Sequence, residues 1–235
     1  RCLIFLVLFV SCESDSVSPD DSVQPDDSVQ PDDSVQYNKI YITLQSQDQI
    51  AILNSSTLET IEVVDVDLMG MSDGMGMGMG ETPHYVILDE DSGYFFVSAI
   101  ASSKIGMYSM EDNQLISVLS TDDGLSQAPA ILEIDVNSKK LYVSRMMIMM
   151  EMNMGTEDKF IDEISYNSDG MTLVESYSSG VPTPHGIALH DSYILTASNT
   201  ADFLSRIDRV TGDVSLMSLD LSINDNENIE VSRLN

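Results

Sequence analysis

The chain has 235 residues, with 39 acidic side chains against ten basic ones and a formal net charge of −29. This balance predicts no nucleic-acid partner, because phosphate binding needs clusters of lysine and arginine, and it disfavours an anionic membrane surface. Both cysteines lie in the first twelve residues, so the rest of the chain must be held together by packing and backbone hydrogen bonds, without disulfides or thiolate metal sites.

The first eleven residues, RCLIFLVLFVS, form an apolar run. They are too few for a membrane-spanning helix of about 20 residues and fit the apolar core of a signal peptide. The run leads into Phe9-Val10-Ser11-Cys12, which resembles the lipobox of bacterial lipoproteins, with Phe9 in place of the usual leucine. The resemblance implies that Cys12 is lipidated and anchors the mature N-terminus. An ordinary secretory signal is the alternative.

Residues 12–36 contain three copies of the hexapeptide PDDSVQ, which begin at Pro19, Pro25 and Pro31. Proline at every sixth position blocks helices and central strands, the acidic pairs repel one another, and single valines offer little to bury. We therefore expect a disordered tether that holds a folded body away from a membrane anchor. An acidic run after a lipidated cysteine also resembles the signals that send some lipoproteins to the outer face of the outer membrane. The predicted location is periplasmic or at the cell surface.

Short runs of β-forming residues alternate with polar turns from residue 37 to residue 235. The clearest passage covers residues 184–220, where GIAL, YILTAS, FLSRID and VSLMSLD predict four strands. Strands of this length joined by tight turns form an antiparallel meander. Three earlier passages, at residues 39–67, 83–120 and 129–180, repeat the pattern, and the first of them lacks its initial strand.

The four passages align on an aromatic residue in the second strand. The spacings are 54, 47 and 51 residues between Tyr41, Phe95, Tyr142 and Tyr193. A period of about 40–50 residues with four strands in each unit is typical of β-propeller blades, whose sheets bury one another around an axis. The predicted fold class is therefore all-β, a propeller of about four four-stranded antiparallel blades over residues 37–235.

These units resemble the YVTN-type propeller repeats of exported bacterial proteins. The matches to the start, the strands and the Thr-Gly turn of that repeat are Pro184–Ile187, Ser198–Asp208, Thr211-Gly212, Tyr41–Thr43 and Ala51–Asn54. The resemblance implies a propeller of a kind that usually has seven blades and hosts many activities. Four units favour an incomplete chain. The tail at residues 227–235 also has the pattern of an inner strand, which would complete the first blade and close a smaller ring.

Eleven of the fifteen methionines lie in two inserts, namely Met69, Met71, Met75, Met77 and Met79, and Met146, Met147, Met149, Met150, Met152 and Met154. The first insert links two blades, and the second links the second and third strands of one blade. Both kinds of connection lie at the same end of an antiparallel meander, so we expect both inserts to project from one face. The Pro-His pairs at His84 and His185 begin inner strands at that face, near the axis.

Thioether sulfur suits Cu(I) and Ag(I), and imidazole can add a further ligand. A copper site on this face would use Met71, Met75, Met77, Met79, Met149, Met152, Met154, His84 and His185. Alternatively, the methionines form an adaptable surface for a protein or peptide partner, or simply extend buried strands. The two histidines also fit ordinary repeat residues that hydrogen-bond a neighbouring blade.

No motif in the chain identifies a reaction or a catalytic residue. A nucleophile elbow, a phosphate-binding loop and an EF-hand are all missing from the sequence. Acidic clusters at residues 89–91, 122–123 and 225–227 are better explained as turns, and His190 is expected to be exposed. The leading hypothesis is a lipid-anchored binding or scaffold module of the cell envelope. Metal capture by the methionine inserts, and a propeller-class lyase or oxidoreductase centred on His84 and His185, are the alternatives.

Overall fold

The computed structural model describes residues 38–70, 80–121, 127–147, 160–219 and 233–234. The predicted signal peptide, the lipidated Cys12 and the tether lie outside these ranges. The described residues form sixteen β-strands in four antiparallel sheets, which we call blades 1 to 4, and one short 3-10 helix, Gln45–Gln47. None of the helical turns among them has the length or apolar character needed to cross a membrane. The predicted all-β propeller class is confirmed.

The blades follow the order of the repeats along the chain. Within the described residues blade 1 has three strands, in agreement with a repeat whose first strand is not evident in the sequence: β1 Lys39–Leu44, β2 Gln49–Asn54 and β3 Thr60–Asp65. Blade 2 contains β4 Pro83–Asp89, β5 Tyr94–Ala99, β6 Lys104–Ser109 and β7 Leu115–Ser120. Blade 3 contains β8 Gln127–Asp135, β9 Lys140–Met147, β10 Phe160–Asn167 and β11 Gly170–Ser178. Blade 4 contains β12 Pro184–His190, β13 Tyr193–Ser198, β14 Phe203–Asp208, β15 Val214–Ser218 and β16 Arg233–Leu234.

Turn chemistry explains where several strands end. Asp208 accepts hydrogen bonds from the backbone N–H groups of Val210 and Thr211, at 2.8 and 3.0 Å. Gly212 follows with a φ of 76°, a left-handed conformation that glycine adopts without a steric penalty. Asp89 likewise accepts the N–H of Ser92. The interpretation of residues 89–91 as a turn is thus confirmed, whereas the acidic clusters at 122–123 and 225–227 lie outside the described residues.

Three apolar cores lie between successive blades rather than within any one of them. The core between blades 1 and 2 includes Tyr41, Ile50, Ile52, Phe95 and Tyr108. The core between blades 2 and 3 includes Phe96, Met107, Leu141, Val143 and Tyr166, and that between blades 3 and 4 includes Tyr142, Ile161, Ile194 and Ile207. Each sheet therefore depends on its neighbour to exclude water, as the repeat pattern implies.

A hydroxyl group in one blade holds the first strand of the next blade. The donor and acceptor pairs are Thr43 Oγ1 and the carbonyl of His84 (3.4 Å), Ser98 Oγ and the carbonyl of Ala130 (2.7 Å), and Ser144 Oγ and the carbonyl of His185 (2.8 Å). The bonds fix equivalent positions in blades 1 to 3 and attach the inner strands β4, β8 and β12 to the blades that precede them.

These bonds correct the predicted alignment of the aromatic residues. The residues two positions before Thr43, Ser98 and Ser144 occupy equivalent positions in the second strands, and they are Tyr41, Phe96 and Tyr142. In blade 4, the pairing of Ala197 with Gly186 identifies Leu195 as the equivalent residue. The alignment on Phe95 and Tyr193 is wrong by one and two residues. Phe95 belongs to the core shared with blade 1, whereas Phe96 packs against blade 3. Adjacent residues of a strand face opposite sides of its sheet, so two consecutive aromatics hide the register.

The two described residues of the tail, Arg233 and Leu234, do not form an inner strand. β16 pairs with β15 in an antiparallel register, with Leu234 opposite Leu216 and Arg233 opposite Met217. It therefore lies beyond β15, as the fifth strand of blade 4. The alternative in which the tail completes blade 1 as its inner strand is therefore wrong for Arg233 and Leu234, which extend the edge of β15.

Polar contacts join the blades at the ends of their inner strands. Asp89 accepts hydrogen bonds from Tyr166 and Lys139 of blade 3, at 2.8 and 3.0 Å. Asp135 holds the equivalent position in β8, six residues after its proline, and pairs with Arg209 of blade 4 at 3.4 Å. The repeat thus places a carboxylate next to a basic side chain of the following blade.

Candidate functional site

The two Pro-His histidines lie side by side, although they belong to blades 2 and 4. Their Nε2 atoms are 3.4 Å apart, and the ring centroids are 5.6 Å apart at an interplanar angle of 75°. Both side chains are half-buried. The structure therefore brings together His84 and His185, the two imidazoles of the predicted metal site, and leaves them accessible from solvent.

The repeat itself explains how residues 101 positions apart meet. Each inner strand begins at a proline, and the residues that follow Pro83, Pro129 and Pro184 are His84, Ala130 and His185. Strand β8 lies between β4 and β12 and contacts both. Because β8 has alanine at the position that carries histidine in the other two strands, this strand places no large side chain between the imidazoles.

Both imidazoles are neutral at pH 7. Burial lowers the pKa of His84, and the neighbouring His185 ring lowers it further; burial also lowers the pKa of His185. Since histidine ordinarily titrates near 6.5, each ring remains an uncharged donor of a nitrogen lone pair. The side-chain amide of Gln45 lies within hydrogen-bond distance of Nδ1 of His84. An amide can present either its NH₂ group or its oxygen to that ring.

The residues on the two sides of the first methionine insert are in contact with each other. Glu81 Oε1 accepts hydrogen bonds from the backbone N–H groups of Leu68 and Met69, both at 2.8 Å, and Glu81 is 5% exposed. Asp48 accepts the N–H of Thr82 at 2.7 Å. The two flanks of the insert are therefore fastened together by a buried carboxylate.

The second insert is anchored by a buried ion pair. Arg145 Nε lies 3.0 Å from Asp162 Oδ2, and the two side chains are only 6% and 3% exposed. The guanidinium also lies 4.9 Å from the centroid of the Phe160 ring, at the start of the strand that follows the insert. On the other flank, Asn199 Nδ2 lies 3.9 Å from Met146 Sδ. Buried charge thus fixes where each insert departs.

Both inserts depart from the end of the blades at which β4, β8 and β12 begin, and we call this end the methionine-bearing face. Pro83 pairs with Ala99 at the end of β5, and Gln127 pairs with Met147 at the end of β9. The flanks of the inserts and the two histidines thus lie together, as predicted. The other proposed ligands, Met71, Met75, Met77, Met79, Met149, Met152 and Met154, lie outside the described residues.

Four residues of this face were missed by sequence reasoning. Glu81 and Arg145 each lie where a strand meets an insert, and a lone charge at such a junction is the signal that would have identified them. Asp162 is hidden within an ordinary strand pattern. Gln45 gives no signal, because only the packing of blade 1 against blade 2 brings it to His84. His190, at the opposite end of β12, has a side chain that is 72% exposed, as expected.

Neither a family model nor a curated protein matches the chain. Solved structures do resemble it, and they are propellers of larger size. A protein from Bacteroides uniformis with a provisional 6-phosphogluconolactonase name has 16% identity and a TM-score of 0.55, over 75% of this chain and 49% of its own. The periplasmic gluconolactonase PpgL from Pseudomonas aeruginosa has 14% identity and a TM-score of 0.57, over 75% and 48%.

Hydrazine synthase from Kuenenia stuttgartiensis has 15% identity and a TM-score of 0.56, over 82% of this chain and 57% of its own. The chain thus spans about half the length of the solved structures it resembles. At such low identities, folds are shared by proteins with unrelated activities. The likeness therefore establishes that the chain has the β-propeller fold.

Proposed function

We propose that the protein is an exported, lipid-anchored β-propeller of the YVTN type whose methionine-bearing face binds a protein or peptide partner in the cell envelope. The lipobox-like sequence before Cys12 and the acidic tether support the anchor. The observation that carries the binding role is the joint placement of two fastened insert bases and an accessible histidine pair at one end of the blades.

The way in which the two inserts are anchored indicates that they have a function and are not simply extra residues at the surface. A surface insertion with no role needs no buried charge at its base, whereas a buried ion pair is costly unless both partners are in place. Glu81 and Asp162 are 5% and 2% exposed. Methionine side chains are flexible and polarisable, and they are typical of surfaces that adapt to different partners. A rigid propeller with two such segments on one face suits recognition.

Site-specific photo-crosslinking in the native host tests this proposal. A photoreactive phenylalanine at Asn199, which is exposed beside Met146 on the methionine-bearing face, is expected to give a discrete higher-mass adduct. The matched control is Val210, which is 85% exposed in the β14–β15 turn at the opposite end of blade 4. Adducts of equal yield at both positions, or none at Asn199, would refute binding through this face.

An enzymatic role is the second candidate, because two of the similar structures are named as a provisional 6-phosphogluconolactonase and a periplasmic gluconolactonase, and two half-buried imidazoles lie side by side on inner strands. A lactonase needs a base that activates water. If binding is the only function, hydrolysis of glucono-δ-lactone at pH 7 should not exceed the spontaneous rate. Acceleration that is lost in both His84→Gln and His185→Gln, but kept in His190→Gln, would replace the binding role with catalysis.

A further inference from the structure

We propose that His84 and His185 form a binding site for a transition-metal ion of the copper and zinc class, which links blade 2 to blade 4. The inference rests on the proposed function, since it treats the methionine-bearing face as the binding face. It differs from a site made by the methionine inserts, because the two imidazoles alone provide the anchoring ligands.

The spacing of the nitrogen atoms fits a coordination site. At a metal–nitrogen distance of about 2.0–2.1 Å, two Nε2 atoms 3.4 Å apart subtend an angle of about 110° at a shared ion. That angle is close to tetrahedral and far from the 180° of a linear two-coordinate ion. The site would therefore be three- or four-coordinate, with one or two positions left for an exogenous ligand.

The alternative explanation of the contact is a direct hydrogen bond between the rings. A nitrogen–nitrogen separation of 3.4 Å is long for such a bond, since N–H donors normally lie about 2.7–3.2 Å from their acceptors. A hydrogen bond between neutral rings also favours a closer approach, which the half-buried but solvent-accessible side chains do not make. Two imidazole nitrogen atoms at this separation can ligate one ion without a large shift of the rings.

The surroundings hold both rings in place for metal binding. Thr43 and Ser144 hold the backbone carbonyls of the two histidines, so each ring starts from a fixed point. A ligating imidazole usually donates its other N–H to an oxygen, which sets the tautomer. The atom of Gln45 next to Nδ1 of His84 is the amide Nε2, and a 180° rotation of the amide would turn its oxygen toward an N–H at that position. The net charge of −29 also raises the local concentration of cations.

Metal titration of the full-length chain tests the site, with Zn(II) and Cu(I) as probes and Ca(II) as the hard-cation comparison. Zinc is expected to bind with one equivalent at the pair, and X-ray absorption should show two nitrogen scatterers at about 2.0 Å. Because the ion would join two blades, it should also raise the unfolding temperature. Each of His84→Ala and His185→Ala should lower the affinity at least ~100-fold, more than the loss of an outer-shell partner does.

His190→Ala is the matched control, because it removes the third imidazole at the opposite end of β12. Its affinity should stay unchanged, and the conservative variants His84→Gln and His185→Gln should unfold like the metal-free wild type. Binding that persists in both pair variants would overturn the site. So would copper binding that is lost only when Met75, Met77 and Met79 are changed to leucine. The crosslink at Asn199 is measured without added metal, so its failure and the failure of the metal site are separate results.

Discussion

Replacing Arg145 with methionine is expected to lower the free energy of unfolding by about 3–5 kcal/mol, because removing one partner of a buried ion pair is strongly destabilising. The Arg145 and Asp162 side chains are 6% and 3% exposed, with Nε and Oδ2 3.0 Å apart. The hydroxyl of Ser176 also donates to Asp162 at 2.6 Å, but this neutral donor does not replace the charge of the guanidinium. Urea denaturation monitored by circular dichroism measures the loss as a lower transition midpoint at unchanged slope.

A second replacement identifies the cause of this loss. If the loss of the ion pair is responsible, Arg145→Met combined with Asp162→Leu should recover most of the stability, since apolar residues of similar size often replace buried ion pairs without penalty. Arg206→Met is the matched control, because Arg206 is an exposed arginine 4.7 Å from the centroid of the Tyr193 ring. It should cost less than about 1 kcal/mol. Equal losses in the two arginine variants would show that the pair has no special role.

The fold could be predicted because the patterns of strand and turn residues are local in the sequence and recur in each repeat. YILTAS and FLSRID became β13 and β14 residue for residue, since each lies between turn residues that stop a strand on both sides. The three strands that blade 1 has among the described residues were also expected from the sequence. The aromatic register was not, because Phe95 and Phe96 are both fully buried, on opposite sides of one sheet. Composition does not say which of two adjacent aromatics faces which neighbour.

The candidate site was predictable in outline and not in detail. Equivalent positions in the repeat placed His84 and His185 at one end of the axis, because inner strands begin at the same end of every blade. Their contact at 3.4 Å depends on the alanine at position 130, whose role is evident only when the three inner strands are superimposed. The Gln45 contact depends on how blade 1 packs on blade 2. Such contacts join residues far apart in sequence, and no spacing rule within a single repeat encodes them.

Replacing Asp89 with asparagine is expected to lower the free energy of unfolding by about 2–4 kcal/mol at pH 7, from the loss of charge-assisted hydrogen bonds across a blade boundary. Asp89 is fully buried and accepts from Tyr166 at 2.8 Å, from Lys139 at 3.0 Å and from the N–H of Ser92 at 3.1 Å. An asparagine amide has one oxygen in place of two. Whichever way it turns, its NH₂ group meets a donor.

The pH dependence of this loss of unfolding free energy shows whether Asp89 stabilises the fold through its charge or through its shape. Burial alone would raise the pKa of Asp89, but hydrogen bonds from Tyr166, Ser92 and Lys139 outweigh it and lower the pKa. A carboxylate with a lowered folded-state pKa contributes stability above its unfolded value near 3.9, and that contribution disappears as the pH falls through the folded value. The difference in unfolding free energy between wild type and Asp89→Asn should therefore stay constant from pH 8 to pH 5.

Below about pH 4 the same difference in unfolding free energy should shrink. Protonation of Asp89 in the wild type removes the stability that its ionised carboxylate contributes, and the asparagine variant never has that contribution. The comparison cancels the titration of the histidine pair, which is present in both proteins and destabilises each of them below about pH 6.5. Asp191→Asn is the control, since the Asp191 side chain is 85% exposed, and it should change stability by less than about 0.5 kcal/mol at any pH. A difference that stays constant down to pH 3 would mean that Asp89 acts through its shape, and that its charge does not join blade 2 to blade 3.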